Sequence, residues 1–200
     1  MALIFDTETS GLPICSYYSH FPDFSDLTKY SNARVVQVSY ILTDSKFEFI
    51  KESDTVIKVD FPIDNHRFHG ITNEISDSKG ILFLEFAKQF KKDLDKCSVL
   101  IAHNIDFDIS VLKSEFYRYS LFDIIDSINT KKIICTMRYS KNLVRAKFKN
   151  SDNIKDPNLK ELYYYTTGKN MENHHNSLYD TRNLYEIVSI LYFNGLFGEY

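Results

Sequence analysis

The alternation of apolar and polar stretches predicts several strands in the first third of the chain. Leu3-Ile4-Phe5 opens an apolar run rich in branched and aromatic residues, which is typical of a buried strand. A connection from Ser10 to Ala33 follows, long enough to form either a binding loop or a surface excursion held by its aromatic residues. Three further strands with short links are predicted, and such a series indicates an antiparallel meander. They are Arg34–Thr43, Phe47–Lys51 and Asp54–Val59.

The rest of the chain alternates between helical and strand patterns. Apolar residues recur at helical spacing from Ile81 to Leu94, and Ser98–Ala102 is a second run of the buried-strand type. The remaining predicted elements are a short helix over Asn73–Ser76 capped by Thr72, a helix over Asp106–Tyr119, a strand over Lys132–Cys135, a helix over Met137–Leu143 capped by Thr136, a helix over Asn158–Thr167 ended by Gly168, and a helix over Ser177–Phe193. This order predicts an α/β fold, in which one mixed sheet combines an antiparallel meander with parallel strands and carries helices on both faces.

Composition and charge restrict the class of protein. The length of 200 residues suits a single domain over 1–200, and 44% hydrophobic residues allow a sizeable core. The net charge of −3 argues against a protein that coats duplex nucleic acid through bulk positive charge, but it leaves room for a site that takes a strand end. The three cysteines lack CxxC spacing, no apolar run suggests a membrane span, and the first strand starts too early for a signal peptide. We therefore expect an intracellular protein, cytoplasmic or nuclear.

Two carboxylates follow the first strand. Side chains two residues apart on a strand point to the same face, so Asp6 and Glu8 are held side by side. Like charges about 4 Å apart repel each other by roughly 4 kcal/mol at an effective dielectric constant of about 20. One interpretation is a cation between the two groups, for which hard oxygen ligands favour Mg²⁺ or Mn²⁺. The other is a strand that ends in a polar turn with two solvated acids.

Two more acidic residues stand where a predicted helix begins. Asp108 lies in the first turn of its helix, where a negative charge is favourable without any further role. Asp180 enters the last helix, and His175 stands five positions before it. Taken alone, each of these features is a weak indication of a functional site.

Taken together, in this order, the segments resemble the DnaQ-like, or DEDDh, family of 3′–5′ exonucleases with the ribonuclease-H-like fold. The resemblance covers nearly the whole chain. Three principal motifs carry it: Asp6-Thr7-Glu8-Thr9-Ser10-Gly11-Leu12, Ala102-His103-Asn104-Ile105-Asp106-Phe107-Asp108, and the segment from His175 to Asp180. Secondary family signatures are resembled by Arg34-Val35-Val36-Gln37, His69-Gly70-Ile71-Thr72 and Cys135-Thr136-Met137-Arg138.

The resemblance implies a catalytic role for five residues. Asp6, Glu8 and Asp180 would hold one divalent ion, Mg²⁺ or Mn²⁺, and Asp6 would also hold a second. Asp108 would complete the cluster directly or through water. His175 would take the proton from the attacking water, a task that suits the ordinary pKa of histidine. The expected product is a nucleoside 5′-monophosphate released from a single-stranded 3′ end.

Contacts with the substrate are also implied by the resemblance. In the family, the turn after the first motif holds the 3′-terminal nucleotide, and other matched positions lie near the same nucleotide. The candidates are Thr7, Thr9, Gly11, Leu12, His69, Asn104 and Phe107. Leu12 would wedge against the terminal base. For His69 and Asn104 the alternative is structural hydrogen bonding, and for Phe107 it is packing in the core.

A basic stretch precedes the third motif. Residues 131–160 contain nine lysines and arginines but only two aspartates, a local balance of +7 that leaves −10 for the rest of the chain. Such a stretch could follow the backbone of an incoming strand, or it could be a solvated loop.

Several functions compete at this point. The leading hypothesis is a metal-dependent 3′–5′ exonuclease on single-stranded ends, with DNA slightly favoured over RNA because Asp-Thr-Glu-Thr resembles the proofreading type. The alternatives are an exoribonuclease that trims RNA 3′ ends, a non-catalytic nucleic-acid-binding subunit, and a metal phosphatase acting on small nucleotides. A polymerase, or another replication or repair protein, is a possible partner.

Overall fold

The computed structural model describes residues 1–16, 20–172 and 176–196. Its centre is a five-stranded mixed sheet with the order β3-β2-β1-β4-β5. The strands are β1 Ala2–Thr9, β2 Val35–Thr43, β3 Phe49–Val56, β4 Val99–Ala102 and β5 Lys132–Cys135. β1, β2 and β3 pair in antiparallel fashion, whereas β4 runs parallel to both β1 and β5. The predicted combination of a meander with parallel strands is confirmed.

The described part of the chain contains eight helices. They are α1 His66–His69, α2 Asn73–Lys79, α3 Phe83–Leu94, α4 Ile105–Arg118, α5 Phe122–Asn129, α6 Thr136–Val144, α7 Leu159–Thr167 and α8 Ser177–Phe193. Within the residues described, none of these helices has both the length and the apolar character needed to cross a bilayer.

The two faces of β1 are covered by different helices, because its side chains alternate. Leu3 and Phe5 pack into a core formed with α3, α4 and α5. Ala2 and Ile4 pack into a second core formed with α7 and α8. Helices therefore cover both faces of the sheet, as the sequence predicts. Asp6 and Glu8 continue the row of Ala2 and Ile4, so they lie on the face covered by α8.

Several predicted helix ends are confirmed by their caps. The Thr72 hydroxyl accepts a hydrogen bond from the backbone N–H of Ile75 at the start of α2. Asn158 and Glu161 form a reciprocal capping box at the start of α7, and Gly168 ends that helix in the left-handed conformation. α8 has the bounds that its apolar pattern predicts, with Asn176 as its N-cap.

The prediction of two strands over Phe47–Lys51 and Asp54–Val59 is wrong, since the single strand β3 spans parts of both segments, from Phe49 to Val56. β3 pairs with β2 from Phe49, opposite Thr43, to Val56, opposite Gln37, with one register shift between Leu42 and Thr43. It lies at the edge of the sheet, where polar residues are tolerated because one side of the strand faces solvent.

The sequence pattern predicts neither α1 nor α5, and the predicted cap at Thr136 is wrong. α1 is a single turn, and α5 buries Ile124, Ile125 and Ile128 in a segment too short for a clear period. Thr136 begins α6 rather than capping it, and Cys135 takes the N-cap position. The Thr136 hydroxyl instead faces the end of β4.

Candidate active site

The carboxyl end of β1 is where acidic side chains can converge. β1 pairs with β4 only as far as Ile4, opposite Ile101, whereas its pairing with β2 continues to Thr9. The last residues of β1 therefore have a free side, toward which α4 begins. On the sheet face, Ile187 and neighbouring apolar residues of α8 pack against Ala2 and Ile4. This packing places the first turn of α8, with Asp180, above Asp6 and Glu8.

The start of α8 is tied directly to the sheet. The Ser177 and Ser39 hydroxyls lie 2.6 Å apart, and the Thr181 hydroxyl donates to the Ser39 backbone carbonyl (3.2 Å). Ser39 pairs with Asp6 across β1 and β2. The register of α8 relative to the acids of β1 is thus set by buried hydrogen bonds as well as by apolar packing.

Asp6, Glu8 and Asp180 form a carboxylate cluster, called here the acid triad. One oxygen from each side chain lies within 4.8 Å of the others. Three hard oxygen donors at this spacing match the ligand preference of Mg²⁺ and Mn²⁺.

Asp108 approaches the same strand from α4. It is almost fully buried, and its Oδ1 accepts hydrogen bonds from the Thr7 backbone N–H (3.0 Å) and the Thr7 hydroxyl (2.8 Å). The Thr7 N–H is free to bind Asp108 because the pairing of β1 with β4 ends at Ile4. Asp108 is not one of the three residues of the acid triad, but its charge acts on both Asp6 and Glu8.

The electrostatics of the cluster favour a bound cation. Burial, and then the charges of Asp108, Glu8 and Asp180, raise the pKa of Asp6 well above its ordinary range. Burial, followed by Asp180 and Asp108, raises the pKa of Glu8 to about 8. Burial also raises the pKa of Asp108 to about 7, against the lowering effect of the hydrogen bonds from Thr7. The cluster therefore holds protons when no cation is bound, and a divalent ion would displace them.

The turn after β1 is held rigidly. Ser10 exchanges two hydrogen bonds with the backbone of Arg34, and the Thr9 hydroxyl donates to the Gly11 carbonyl (2.7 Å). A Cβ at Gly11 would lie 2.7 Å from the Asn32 carbonyl oxygen, so this position requires glycine. The Leu12 side chain is 74% exposed, which leaves it free to contact a ligand.

His69 supports this turn through Asn65, a residue that no sequence motif predicts to be functional. Its Nδ1 accepts a hydrogen bond from the Ile71 N–H (3.1 Å), so Nε2 carries the proton and donates to Asn65 Oδ1 (3.2 Å). Asn65 Nδ2 in turn donates to the Thr9 carbonyl (2.8 Å). Burial lowers the pKa of His69, in keeping with this neutral tautomer. Asn65 lies in an irregular polar segment, and nothing in the sequence marks it.

Two other candidates lie where β4 passes into α4. Asn104 has a positive φ of 68° and forms the N-cap position of α4 without a side-chain capping bond. The Phe107 ring is half-buried, with its centroid 5.8 Å from that of Phe21.

The neighbouring His103 is a structural residue. Its Nε2 donates to the Pro157 carbonyl (3.0 Å), and its Nδ1 lies 3.1 Å from the Thr136 hydroxyl. Burial lowers its pKa to about 4, so the ring stays neutral and joins β4 to α6 and to the segment before α7.

His175, the predicted base, and its neighbour His174 lie outside the described residues. The role assigned to His175 from its spacing to Asp180 therefore stays a prediction.

The basic stretch is partly neutralised by ion pairs. Four of its cations contact acids: Arg138 with Asp106, Lys141 with Asp156, Lys147 with Asp152, and Lys155 with Glu161. Arg145 and Lys149 are exposed and take part in none of the ion pairs found among the described residues. The positive charge available to a ligand is therefore smaller than the sequence count suggests.

The fold and the acid cluster together define a class of nuclease, and comparison with known families agrees. The chain belongs to the RNase T family of exonucleases, whose family model matches residues 3–188. This confirms the resemblance to DnaQ-like exonucleases and makes the protein a nuclease, and so a hydrolase. The family implies a divalent metal cofactor, which the acid triad fits.

Solved structures share the fold. Exonuclease X in complex with 5′-overhanging duplex DNA is 20% identical, with a TM-score of 0.60 over 98% of this chain and 93% of that chain. Exonuclease I from Methylocaldum szegediense is 20% identical, with a TM-score of 0.68 over 95% of this chain and 40% of that chain. E. coli exonuclease I in complex with a dT13 oligonucleotide is 18% identical, with a TM-score of 0.68 over 97% of this chain and 41% of that chain.

At these identities the likeness shows the fold, and the chain spans only about two fifths of the exonuclease I proteins. No match is found among curated protein sequences.

Proposed function

We propose that residues 1–200 act as a single 3′–5′ exonuclease domain, which releases nucleoside 5′-monophosphates from single-stranded 3′ ends with the help of two divalent ions. DNA is the favoured substrate. The observation that carries the proposal is the convergence of Asp6, Glu8 and Asp180 within 4.8 Å, with Asp108 beside them, at the edge of the sheet that ends in a rigid turn. Exonuclease X and exonuclease I, which share the fold, are seen in complexes with DNA.

The acids have distinct tasks in this mechanism. Asp6, Glu8 and Asp180 would hold one ion, Asp6 would also hold the second, and Asp108 would complete the site directly or through water. Divalent ions held there would supply charge neutralisation at the phosphate and activation of the attacking water. Thr7 fixes Asp108 with two hydrogen bonds, so this carboxylate cannot swing away from β1.

The rest of the chain positions the substrate and moves the proton. His175 takes the proton from the attacking water as the general base. The turn from Thr9 to Leu12 receives the 3′-terminal nucleotide, with the exposed Leu12 side chain against its base. The relay from His69 through Asn65 keeps the carbonyl of Thr9 in place and so keeps the turn in its shape.

The exposed cations Arg145 and Lys149 would follow the phosphate backbone upstream of the 3′ end. A polymerase or another replication or repair protein as partner, and a cytoplasmic or nuclear location, stay predictions from the sequence.

End-labelled oligonucleotides test the proposal. Single-stranded DNA, RNA of the same sequence and the DNA duplex would each carry a 5′ label and be incubated with Mg²⁺, with Mn²⁺ or with chelator. We expect a ladder of shortening labelled products from single-stranded DNA, mononucleotides with a 5′-phosphate, and no products with chelator. Release of the label as the first mononucleotide would contradict the direction. Faster digestion of RNA would make the enzyme an exoribonuclease, and binding without any cleavage would make it a non-catalytic subunit.

A further inference from the structure

Gln37 lies beside the acid triad, although its signature Arg34-Val35-Val36-Gln37 has no part in the mechanism above. Across β1 and β2, Gln37 pairs with Glu8 and Ser39 pairs with Asp6. Paired residues on neighbouring strands point to the same face, about 5 Å apart at their Cβ atoms. The Gln37 side chain is therefore on the face that carries the triad, and it is only 2% exposed.

The orientation of the Gln37 amide is fixed by Asp54. Asp54 Oδ1 accepts hydrogen bonds from Gln37 Nε2 (2.8 Å) and from the Ser39 hydroxyl (2.7 Å). Because a carboxylate only accepts, the nitrogen end of the amide must face it. Ser39, which donates to Asp54, then accepts from Ser177 at the start of α8. Rotating the amide would bring two acceptors together, so this network holds Gln37 Oε1 in one place.

Gln37 Oε1 is buried and has no hydrogen-bond partner among the residues that the structure describes. Leaving a buried carbonyl oxygen unpaired costs free energy, which a donor brought by a ligand would recover. A hydrated cation brings such donors, because its waters point their hydrogens outward.

We propose that Gln37 is a positioning residue of the metal site, whose Oε1 accepts a hydrogen bond from a water in the hydration shell of the cation held by Asp6 and Glu8. The inference rests on the proposed function, because it requires the acid triad to bind a divalent ion. Gln37 adds an acceptor without adding a further negative charge to the cluster.

Calorimetry and electron paramagnetic resonance with Mn²⁺ test this role without any nuclease assay. Gln37→Met keeps the length of the side chain and removes the acceptor. Loss of an outer-shell partner typically lowers metal affinity by about 10- to 100-fold, and we expect a loss of about 10-fold together with a changed zero-field splitting of bound Mn²⁺. The matched control is Asp54→Asn, because an asparagine Oδ1 can still accept both hydrogen bonds. It should bind Mn²⁺ within about twofold of wild type.

The outcomes separate this inference from the proposed function. If the wild-type protein binds no Mn²⁺, the metal site itself fails. If the wild type binds Mn²⁺, and Gln37→Met matches it in both affinity and spectrum, only the role of Gln37 is overturned. If Gln37→Met does not fold, as judged by circular dichroism, Gln37→Asn replaces it, because drawing the amide back by one methylene should weaken binding in the same direction.

Discussion

The metal-free protein should lose stability as the pH rises, because its acid cluster holds protons that the unfolded chain releases. The pKa of Glu8 rises from 4.5 to about 8 on folding, and that of Asp108 rises from 3.8 to about 7. Between the unfolded and folded pKa values the native state binds more protons, so its stability falls with pH. This contribution is fully present below the unfolded pKa of each group, and it is lost as the pH rises through the folded pKa.

The magnitude follows from these pKa values. Between about pH 5.5 and pH 8, Glu8 keeps its proton in the native state over about 2.5 pH units, which at 1.36 kcal/mol per unit corresponds to about 3 kcal/mol. Asp108 would add about 2 kcal/mol between about pH 5.5 and pH 7 by the same arithmetic. Because Glu8 and Asp108 share one cluster, their contributions do not simply add, and we expect these two groups to account for a loss of about 3 to 5 kcal/mol.

Urea unfolding in the presence of chelator, at about pH 5.5 and about pH 8, measures this loss of unfolding free energy. The loss of unfolding free energy should be smaller in Glu8→Gln than in wild type, by about 2 kcal/mol or more. The reason is that the variant lacks one titrating acid and one charge beside Asp6 and Asp108. Glu48→Gln, at an exposed position remote from the cluster, should follow the wild type. Saturating Mg²⁺ should restore stability at the higher pH, by about 2.7 kcal/mol at 100 times its dissociation constant. A metal-free wild type equally stable at both pH values would refute the reasoning.

Two further predictions concern the basic stretch and the general base. Replacing Arg145 and Lys149 together by glutamine should weaken binding of a single strand and lower the slope of log affinity against log salt by about 1.4, at about 0.7 per lost phosphate contact. Lys141→Gln removes a cation that is already paired with Asp156, so it should change the slope less. If Lys141→Gln lowers the slope as much as the double variant does, the role given to Arg145 and Lys149 is wrong. His175→Ala should lower turnover by about 10²- to 10⁴-fold while calorimetry still shows metal binding. If His174→Ala is the inactive variant instead, the register assigned to the third motif is wrong by one residue.

The local parts of the site were predictable from the sequence. The alternation of side chains along β1 places Asp6 and Glu8 on one face whatever the rest of the chain does. The bounds of α8 follow from its apolar pattern and the asparagine before it. Asp180 lies close to the acids of β1, although more than 170 residues separate them along the chain. Only the family resemblance predicts this contact.

Other features depend on tertiary surroundings that no local pattern reports. The polar residues in the middle of β3 predict a break between two strands, although an edge strand tolerates them. Asn65 matters because the carbonyl of Thr9 faces it, and Gln37 because Asp54 on the next strand fixes its amide. The course of β3, the role of Asn65 and the orientation of Gln37 therefore cannot be predicted from residue type or spacing alone.

The central claim is that the acid triad binds the ion that drives hydrolysis. The most direct measurement is the rate at which 5′-labelled single-stranded DNA is shortened by wild type and by Asp180→Ala at saturating Mn²⁺, with both proteins shown to be folded by circular dichroism. We expect wild type to shorten the strand only when metal is present and Asp180→Ala to show no activity, with its metal-free stability equal or higher because a like charge has been removed. A near-normal rate for Asp180→Ala would contradict the assignment of the metal site.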